Sequence, residues 1–440
     1  MENVLSLLGK HFSCPYCERE HYIPTREVLI QREALSRLPS FLSSLLEGKN
    51  VLLLCDHITY QVAGEKSEKL LKDTHNLSLQ VLHPQGTSRV YAEEKYLRGI
   101  LQKAEGQDML VSVGAGTITD LGKYAAYKLH IPVISLPTAP SMNAYTSAVS
   151  AFLSGEGLKV TVPVNPPVGV LVDSKIISEA PLDLIKAGFA DSLAKAFANA
   201  DWKISSFLSG EMFCPLPLKI VTEIEAKFIR QGEKIVKRNE EVIVCLMEGL
   251  ILGGFSMVIA GKSSPASGGE HLISHLLDME AHKKGLAPYS YHGIQVGLGV
   301  LVSSRLYDIL RTFSAGEVER RLKKRGVDYQ ERINFLAQEF PFIKKIFEKK
   351  IPLLKELPNK LPPLWEKVQE EVFPLLYPHK EIKEYLRRAE CPLRFTEIGV
   401  DKALCKKAIL QARFIRDRLT VLDLADELGI LEEASSSIAC

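Results

Sequence analysis

From Lys49 to about Asp173, short apolar runs alternate with helical stretches. The runs are Val51–Cys55 (VLLLC), Leu79–Leu82, Met109–Val113 (MLVSV), Ile131–Leu136 (IPVISL) and Val168–Val172 (VGVLV). Between most of them lie segments of helical periodicity, Glu65–Asp73, Ala92–Ala104 and Asp120–Leu129. Such alternation predicts a parallel sheet with crossover helices. Strands buried on both faces read as continuous apolar runs, as most of these do. Between Ser147 and Pro167 the pattern is irregular and contains the β-prone piece Lys159–Val164, which predicts an inserted hairpin.

After about Ser178 the strand signals almost vanish. Amphipathic helical patterns run from Pro181 through Asp191 to about Phe207, then over Leu218–Lys237, Asn239–Ile259, Gly268–His282 and Gly293–Arg311. Pro181 suits a first helical turn, where its missing N–H costs nothing. Glu331–Lys383 is charged, Pro-punctuated and helical in pattern, and Lys402–Leu428 is helical again. A chain of 440 residues exceeds what one core organises. The expected architecture is an α/β domain of nucleotide-binding type over residues 1–177, followed by an all-α domain over 178–440.

Composition narrows the classes. Apolar residues are 46%, charged residues 25% and the formal net charge +2, so the charge balance calls for neither nucleic acid nor an anionic membrane as partner. Charge clusters are mixed in sign, as in Glu317–Arg325 (EVERRLKKR). No stretch is read as approaching the roughly twenty apolar residues of a spanning helix, and the N-terminus lacks the cationic start of a signal peptide. Together these predict a cytoplasmic chain. The cysteines, Cys14, Cys17, Cys55, Cys214, Cys245, Cys391, Cys405 and Cys440, are mostly scattered singly and read as reduced thiols. Cys14-x-x-Cys17 is half of a tetrahedral zinc site. With no second C-x-x-C, and only His11 and His21 nearby, it is read as a reduced loop pair, with a structural metal as the alternative.

Two features carry chemistry. Val111–Asp120 (VSVGAGTITD) follows a strand and opens a helix. Gly114 and Gly116 let the backbone approach a pyrophosphate, which the helix start would hold. The third glycine of the full dinucleotide fingerprint is Thr119 here. Asp56, at the end of an earlier strand, is placed either to bond a ribose hydroxyl or to cap a helix. The second feature is Ser264–Met279 (SPASGGEHLISHLLDM), where Ser267 and Glu270 have capping-box spacing. His271 and His275 then share a helix face, and His292 follows before another helix start. Imidazoles of this kind suit zinc, nickel or iron. Asp191, on an apolar helical face, is the best candidate for a completing carboxylate, because a buried charge there needs a partner.

On these residues the chain resembles a known family. VGAGTITDLGKY (Val113–Tyr124), SLPTAPSMNAYTSAVS (Ser135–Ser150), AGFADSLAKAFANADWKIS (Ala187–Ser205), SGGEHLISH (Ser267–His275), YHGIQVG (Tyr291–Gly297) and ARFIRDRLTVLDLADELGIL (Ala412–Leu431) resemble the sn-glycerol-1-phosphate dehydrogenases, and most closely their bacterial branch. That family shares a superfamily with glycerol dehydrogenase, the iron-containing alcohol dehydrogenases and dehydroquinate synthase. The resemblance implies a Rossmann-like N-terminal domain and a helical C-terminal domain. It implies NAD or NADP, with the pyrophosphate on Gly114 and Gly116 through Thr117, Ile118, Thr119 and Asp120. Thr138, Ala139, Pro140, Ser141 and Ser147 would contact the cofactor, and Asp56 the adenosine ribose. One divalent metal (zinc or nickel, with iron as a third candidate) would be held by Asp191, His271 and His292. His275 would face the substrate and serve as proton donor, and Asn143 and Asp191 would also contact the substrate. The implied reaction is reversible reduction of dihydroxyacetone phosphate to sn-glycerol 1-phosphate, feeding glycerophospholipid or ether-lipid synthesis, by a homo-oligomer, dimer or larger.

The chain departs from the family pattern in three places. Asn143 stands where an aspartate is usual, followed by Ala144 instead of glycine. Ala190 replaces the glycine before the metal aspartate. The stretch between His271 and His292 is slightly longer. Asn143 keeps hydrogen-bonding ability but loses a charge, which leaves substrate identity open. The alternatives are a dehydrogenase of another polyol or specialised metabolite, a dehydroquinate synthase-like cyclase, and a non-catalytic relative. Asp191, where the cyclases carry glutamate, favours a dehydrogenase.

Overall fold

The computed structural model describes residues 2–326, 328–339, 341 and 343–438; Cys440 lies outside them. The chain divides into two compact units, one of residues 1–192 with 214–263 and the other of residues 193–213 with 264–440.

The first unit is built on a parallel sheet. Its strands are β3 (Glu27–Gln31), β4 (Asn50–Asp56), β5 (Asn76–Leu82), β6 (Met109–Gly114), β7 (Val133–Pro137) and β10 (Gly169–Asp173), in the order β3-β10-β7-β6-β4-β5. Five were legible as apolar runs. β3 was not, because this edge strand (EVLIQ) is only half-buried and has polar ends. Alternation along β4 shows why the runs are continuous. Val51, Leu53 and Cys55 join the core on one face, with Leu38, Phe41 and Leu42 of α1 (Leu38–Leu45). Leu52 and Leu54 join the other, with Leu97 and Ile100 of α3 (Leu97–Ala104) and Ile118 and Leu121 of α4 (Gly116–Leu129). Helix α2 (Glu65–Lys72) links β4 to β5. The chain therefore leaves β4 toward β5 and leaves β6, through α4, toward β7 on the opposite side. The carboxyl ends of β4 and β6 thus flank a topological switch point.

Two antiparallel hairpins complete the strands. β1 (His11–Ser13) pairs with β2 (Glu20–Tyr22). The expected insertion is β8 (Val149–Leu153) with β9 (Lys159–Pro163). Helices α5 (Leu182–Ser192), α7 (Leu216–Glu225) and α8 (Glu240–Ala260) also belong to this unit. The helix read as continuous from Pro181 to Phe207 is two, α5 and α6 (Ala194–Ser209). At the break the Ser192 hydroxyl bonds the Phe189 carbonyl three residues back and tightens the turn. The reading that no segment is long and apolar enough to cross a membrane is corrected by α8. It passes on length and composition, with mean hydropathy 2.3, but 78% of its apolar window is buried inside the protein, as in a core helix.

Among the described residues the second unit has helices and no strands. α9 (Gly269–Lys283) and α10 (His292–Leu310) pack closely because α10 carries Gly299 at their approach, where a Cβ would lie 2.4 Å from the Glu270 carbonyl oxygen. The C-terminal motif serves this unit's interior. Arg413, fully buried, pairs with Asp423 and Asp426, and the buried Lys350 donates to the Arg413 carbonyl and to Asp423.

Candidate functional site

At the switch point, β6 ends on Gly114 and α4 opens at Gly116. Ala115, the N-cap, is extended and offers no side-chain acceptor, so the first-turn N–H groups have no side-chain cap. A fourteen-residue helix presents partial positive charge there. The glycines are also required by packing. A Cβ on Gly114 would lie 2.6 Å from Ile118 Cβ, and one on Gly116 2.6 Å from Met142 Sδ. Thr117 is half-buried, whereas the side chains of Ile118, Thr119 and Asp120 turn inward; an anion at this turn would meet them through backbone N–H groups. Asp56, across the switch point, caps the short turn His57–Thr59, its Oδ1 accepting the N–H groups of Ile58 and Thr59.

A buried lysine that sequence reading passed over organises the next loop. Lys123 Nζ pairs with Asp120 at 3.1 Å and donates to the Ala144 carbonyl at 2.8 Å, to Ser147 Oγ at 3.0 Å and to the Val149 carbonyl. Burial pushes the Asp120 carboxyl up and the Lys123 ammonium down, and their mutual attraction opposes both. The same loop is held at its other end by Tyr145, whose hydroxyl donates to the Ala139 carbonyl and meets Ser141 Oγ at 3.1 Å. Thr138, Ala139, Pro140, Ser141 and Ser147 thus lie on one loop anchored at both ends.

Glycine brings α5 against this loop. A Cβ on Gly188 would lie 1.8 Å from the Pro140 carbonyl oxygen, so only glycine fits. Asp191, one turn later and 1% exposed, then meets Asn143. The Asn143 amide Nδ2 donates to Asp191 Oδ2 at 2.5 Å. Asn143 Oδ1 is buried and accepts no hydrogen bond among the described residues. An aspartate in place of Asn143 would set two carboxylates against each other; the amide instead supplies a donor.

The second unit gathers the imidazoles. Ring centroids of His271 and His292 lie 5.3 Å apart, those of His275 and His292 5.7 Å, and those of His271 and His275 6.2 Å. His271 Nδ1 meets Glu270 Oε1 at 2.9 Å, and His292 Nδ1 meets Ser274 Oγ at 3.1 Å. With both Nδ1 atoms engaged, Nε2 is the nitrogen each ring offers to a cation. A carboxylate behind a ligating histidine fixes its tautomer and raises its basicity. The expected capping box does not form. The N-cap is Gly268, Ser267 Oγ accepts from the Arg418 guanidinium, and the Gly269 N–H is taken by Asp201 Oδ2 at 2.8 Å. Glu270 Oε1 accepts the N-cap Gly268 N–H at 2.6 Å and also meets His271 Nδ1. Asp201 is fully buried and also accepts from the Tyr307 hydroxyl and the Val421 N–H. Burial and the nearby Glu270 charge push its carboxyl well above the usual range. Glu270, Asp201 and Tyr307 were missed as site residues; the Glu-His doublet at a helix start was the available signal.

Residues 29–181 match the iron-containing alcohol dehydrogenase family model. Over 434 residues the chain is 30% identical to the glycerol-1-phosphate dehydrogenase [NAD(P)+] of Bacillus licheniformis, covering 98% of this chain and 96% of that protein. The chain belongs to the glycerol-1-phosphate dehydrogenase family. The Bacillus subtilis member is 29% identical, covering 92% of each chain. The archaeal member from Thermococcus sibiricus is 32% identical, covering 64% of this chain and 78% of its own. Among solved structures, glycerol dehydrogenase from Schizosaccharomyces pombe (TM-score 0.60, 14% identity, covering 94% of this chain and 90% of that one) has the same fold. So does the iron-containing alcohol dehydrogenase of Thermococcus thioreducens (TM-score 0.60, 14% identity, covering 94% and 99%). The glycerol-1-phosphate dehydrogenase family is NAD(P)- and divalent-metal-dependent, which matches a helix start bare of side-chain caps and a cluster of imidazoles in which His271 and His292 are held by Nδ1.

Proposed function

We propose that this chain reduces dihydroxyacetone phosphate to sn-glycerol 1-phosphate with NADH or NADPH, reversibly, and so supplies a glycerophosphate for glycerophospholipid or ether-lipid synthesis in the cytoplasm. In this reading residues 1–177 bind the dinucleotide and residues 178–440 bind metal and substrate, in a homo-oligomer. Asp191, His271 and His292 hold one divalent cation, zinc, nickel or iron. The observation that carries the reading is that one ligand atom each of Asp191, His271 and His292 lies within 4.8 Å of the others, with Nδ1 of both histidines engaged by side chains behind them. Two imidazoles and a carboxylate leave a coordination position open, as catalytic sites require. The cation, when bound, supplies polarisation of a carbonyl and stabilises the alkoxide that forms from it.

The chain's own residues do the rest. The α4 N-terminus and the Asp56 carboxylate orient the pyrophosphate and ribose, and Thr138–Ser141 with Ser147 lie along the cofactor. Asn143 fixes the Asp191 carboxylate by its amide and keeps Oδ1 for a substrate hydroxyl. His275 gives a proton to the product oxygen at its ring nitrogen. Glu270 holds His271 in one tautomer.

A second reading, a dehydrogenase acting on another polyol, is favoured by one observation. Asn143 spends its donor on Asp191 and presents an uncharged acceptor where the family pattern has a carboxylate. Oxidation of NADH and NADPH by metal-replete enzyme, measured with dihydroxyacetone phosphate and with unphosphorylated ketones, decides between them. Preference for the phosphorylated ketone by kcat/KM supports the first. Turnover only on unphosphorylated substrates supports the second. Substrate conversion with no net cofactor oxidation would mean a cyclase.

A further inference from the structure

Away from the imidazole cluster, the first unit gathers a second set of metal-type donors. Cys14 and Cys17 sit in the turn between β1 and β2, and His21 lies on β2. Cys214 comes from the segment just before α7. One ligand atom from each lies within 4.8 Å of all the others. Cys14 Sγ is 3.7 Å from Cys214 Sγ, and His21 Nε2 is 3.2 Å from Cys17 Sγ and 3.9 Å from Cys214 Sγ.

These separations suit a tetrahedron. With Zn–S near 2.3 Å and Zn–N near 2.0–2.1 Å, its edges are roughly 3.8 Å between sulfurs and roughly 3.6 Å from sulfur to nitrogen. A disulfide would need roughly 2.05 Å between sulfurs. Cys14 is 2% exposed, Cys214 0% and His21 8%, so the cluster is enclosed. Cys17 alone is partly open.

Backbone N–H groups point at two of the sulfurs. The N–H groups of Tyr16 and Cys17 bond the Cys14 sulfur. Cys214 sits before the ten-residue helix α7 and takes the Leu216 N–H. The turn closes through Cys14 N–H to the Arg19 carbonyl and Glu18 N–H to the Cys14 carbonyl, with Glu18 in the left-handed region at φ 58°. His21 also bonds the Ile259 carbonyl. With Nε2 facing the thiols, that bond fixes the tautomer in which Nε2 is a ligand. His11, the other histidine near the pair in sequence, stacks on Tyr22 with centroids 4.4 Å apart and is not part of the cluster.

We propose that Cys14, Cys17, His21 and Cys214 form a structural zinc site that staples the N-terminal hairpin to the start of α7. Three thiolates and a neutral imidazole select a soft divalent cation, zinc first, over magnesium or calcium. Binding releases the thiol protons to solvent and involves no redox change. Four protein donors fill the tetrahedron and leave no place for substrate, so the site serves folding. It joins segments about two hundred residues apart in the chain.

Metal content of the full-length protein purified from zinc-supplemented cells tests this, with His271→Ala used to remove the proposed active-site metal. His271→Ala should retain one zinc per chain, and adding Cys17→Ser should remove it. Cys17→His in place of Cys17→Ser, which keeps four donors, should retain zinc and the thermal midpoint that Cys17→Ser lowers. Cobalt grown into His271→Ala should give thiolate-to-cobalt charge-transfer absorption that Cys17→Ser lacks. A His271→Ala protein that holds no zinc and shows no such band overturns the site. So does an intact mass two hydrogen atoms light, with Cys14 linked to Cys214. Loss of activity in His271→Ala bears only on the imidazole cluster, so the two readings fail separately.

Discussion

The hairpin cluster and the imidazole cluster use related donors for opposite ends. In the hairpin, three sulfurs and one ring nitrogen converge, enough to fill a tetrahedron, and backbone N–H groups bond the Cys14 sulfur. At His271 and His292 the donors are harder and fewer, and the side chains behind them, Glu270 and Ser274, hold orientation. The difference follows from what each has to do. A closed site binds tightly and contributes to folding. An open one gives up a ligand so that a substrate oxygen can enter. The number of donors and the groups behind them separate a structural from a catalytic metal site.

The comparison can be broken in several places. The largest effect is expected at His271→Ala. Losing the cation removes several kcal/mol of transition-state stabilisation, on the order of a 10³-fold fall in kcat. Retained metal at that position, with retained turnover, would mean the imidazoles are not ligands. Glu270→Gln keeps the shape but not the charge behind His271, and should weaken active-site metal affinity about 10–100-fold, read by competition with a chromogenic chelator. Gly188→Ala forces a Cβ into the Pro140 carbonyl. It should destabilise the fold by about 1–3 kcal/mol in urea unfolding, and raise KM by displacing the loop that carries Asn143.

Asn143→Asp should move a pH profile. Two carboxylates in contact cannot both ionise easily, so one carboxyl pKa rises. The acid limb of kcat/KM should therefore shift to higher pH, with activity lost as pH falls through the raised value. An unmoved limb would mean that residue 143 does not touch Asp191 during turnover. The smallest effect is expected at Cys17→Ser, which should lower the thermal midpoint and leave kcat per folded chain unchanged.

Much of the fold was legible because burial writes itself into sequence. β4, β6, β7 and β10 are apolar except at strand ends and at the buried Ser112 and Ser135, because both faces are covered. The edge strand β3 and the hairpin β1–β2 are short, polar and half-exposed, so no run marks them. The imidazoles were legible as a concentration of histidine near one helix, although only family likeness singled out His292. What could not be read was long-range. Cys214 completes the Cys14–Cys17 pair from a segment with no motif of its own, and the pair alone favoured a plain reduced loop. Glu270 was read as the partner of Ser267 in a capping box, because the spacing does not reveal that Asp201, far earlier in the chain, takes the Gly269 N–H and that Glu270 bonds the Gly268 N–H and His271. The glycines at 188 and 299 are requirements of close approach that only the packed neighbours reveal.

The most direct test is timed dialysis of the purified enzyme against a moderate-affinity chelator, with metal content and NAD(P)H oxidation on dihydroxyacetone phosphate followed together. The account predicts that activity falls in step with loss of one metal per chain and returns when zinc, nickel or iron is restored, while a second, thiolate-held zinc stays bound until the cysteines are modified. Activity that survives loss of the exchangeable metal, or metals that leave together with the fold, would contradict it.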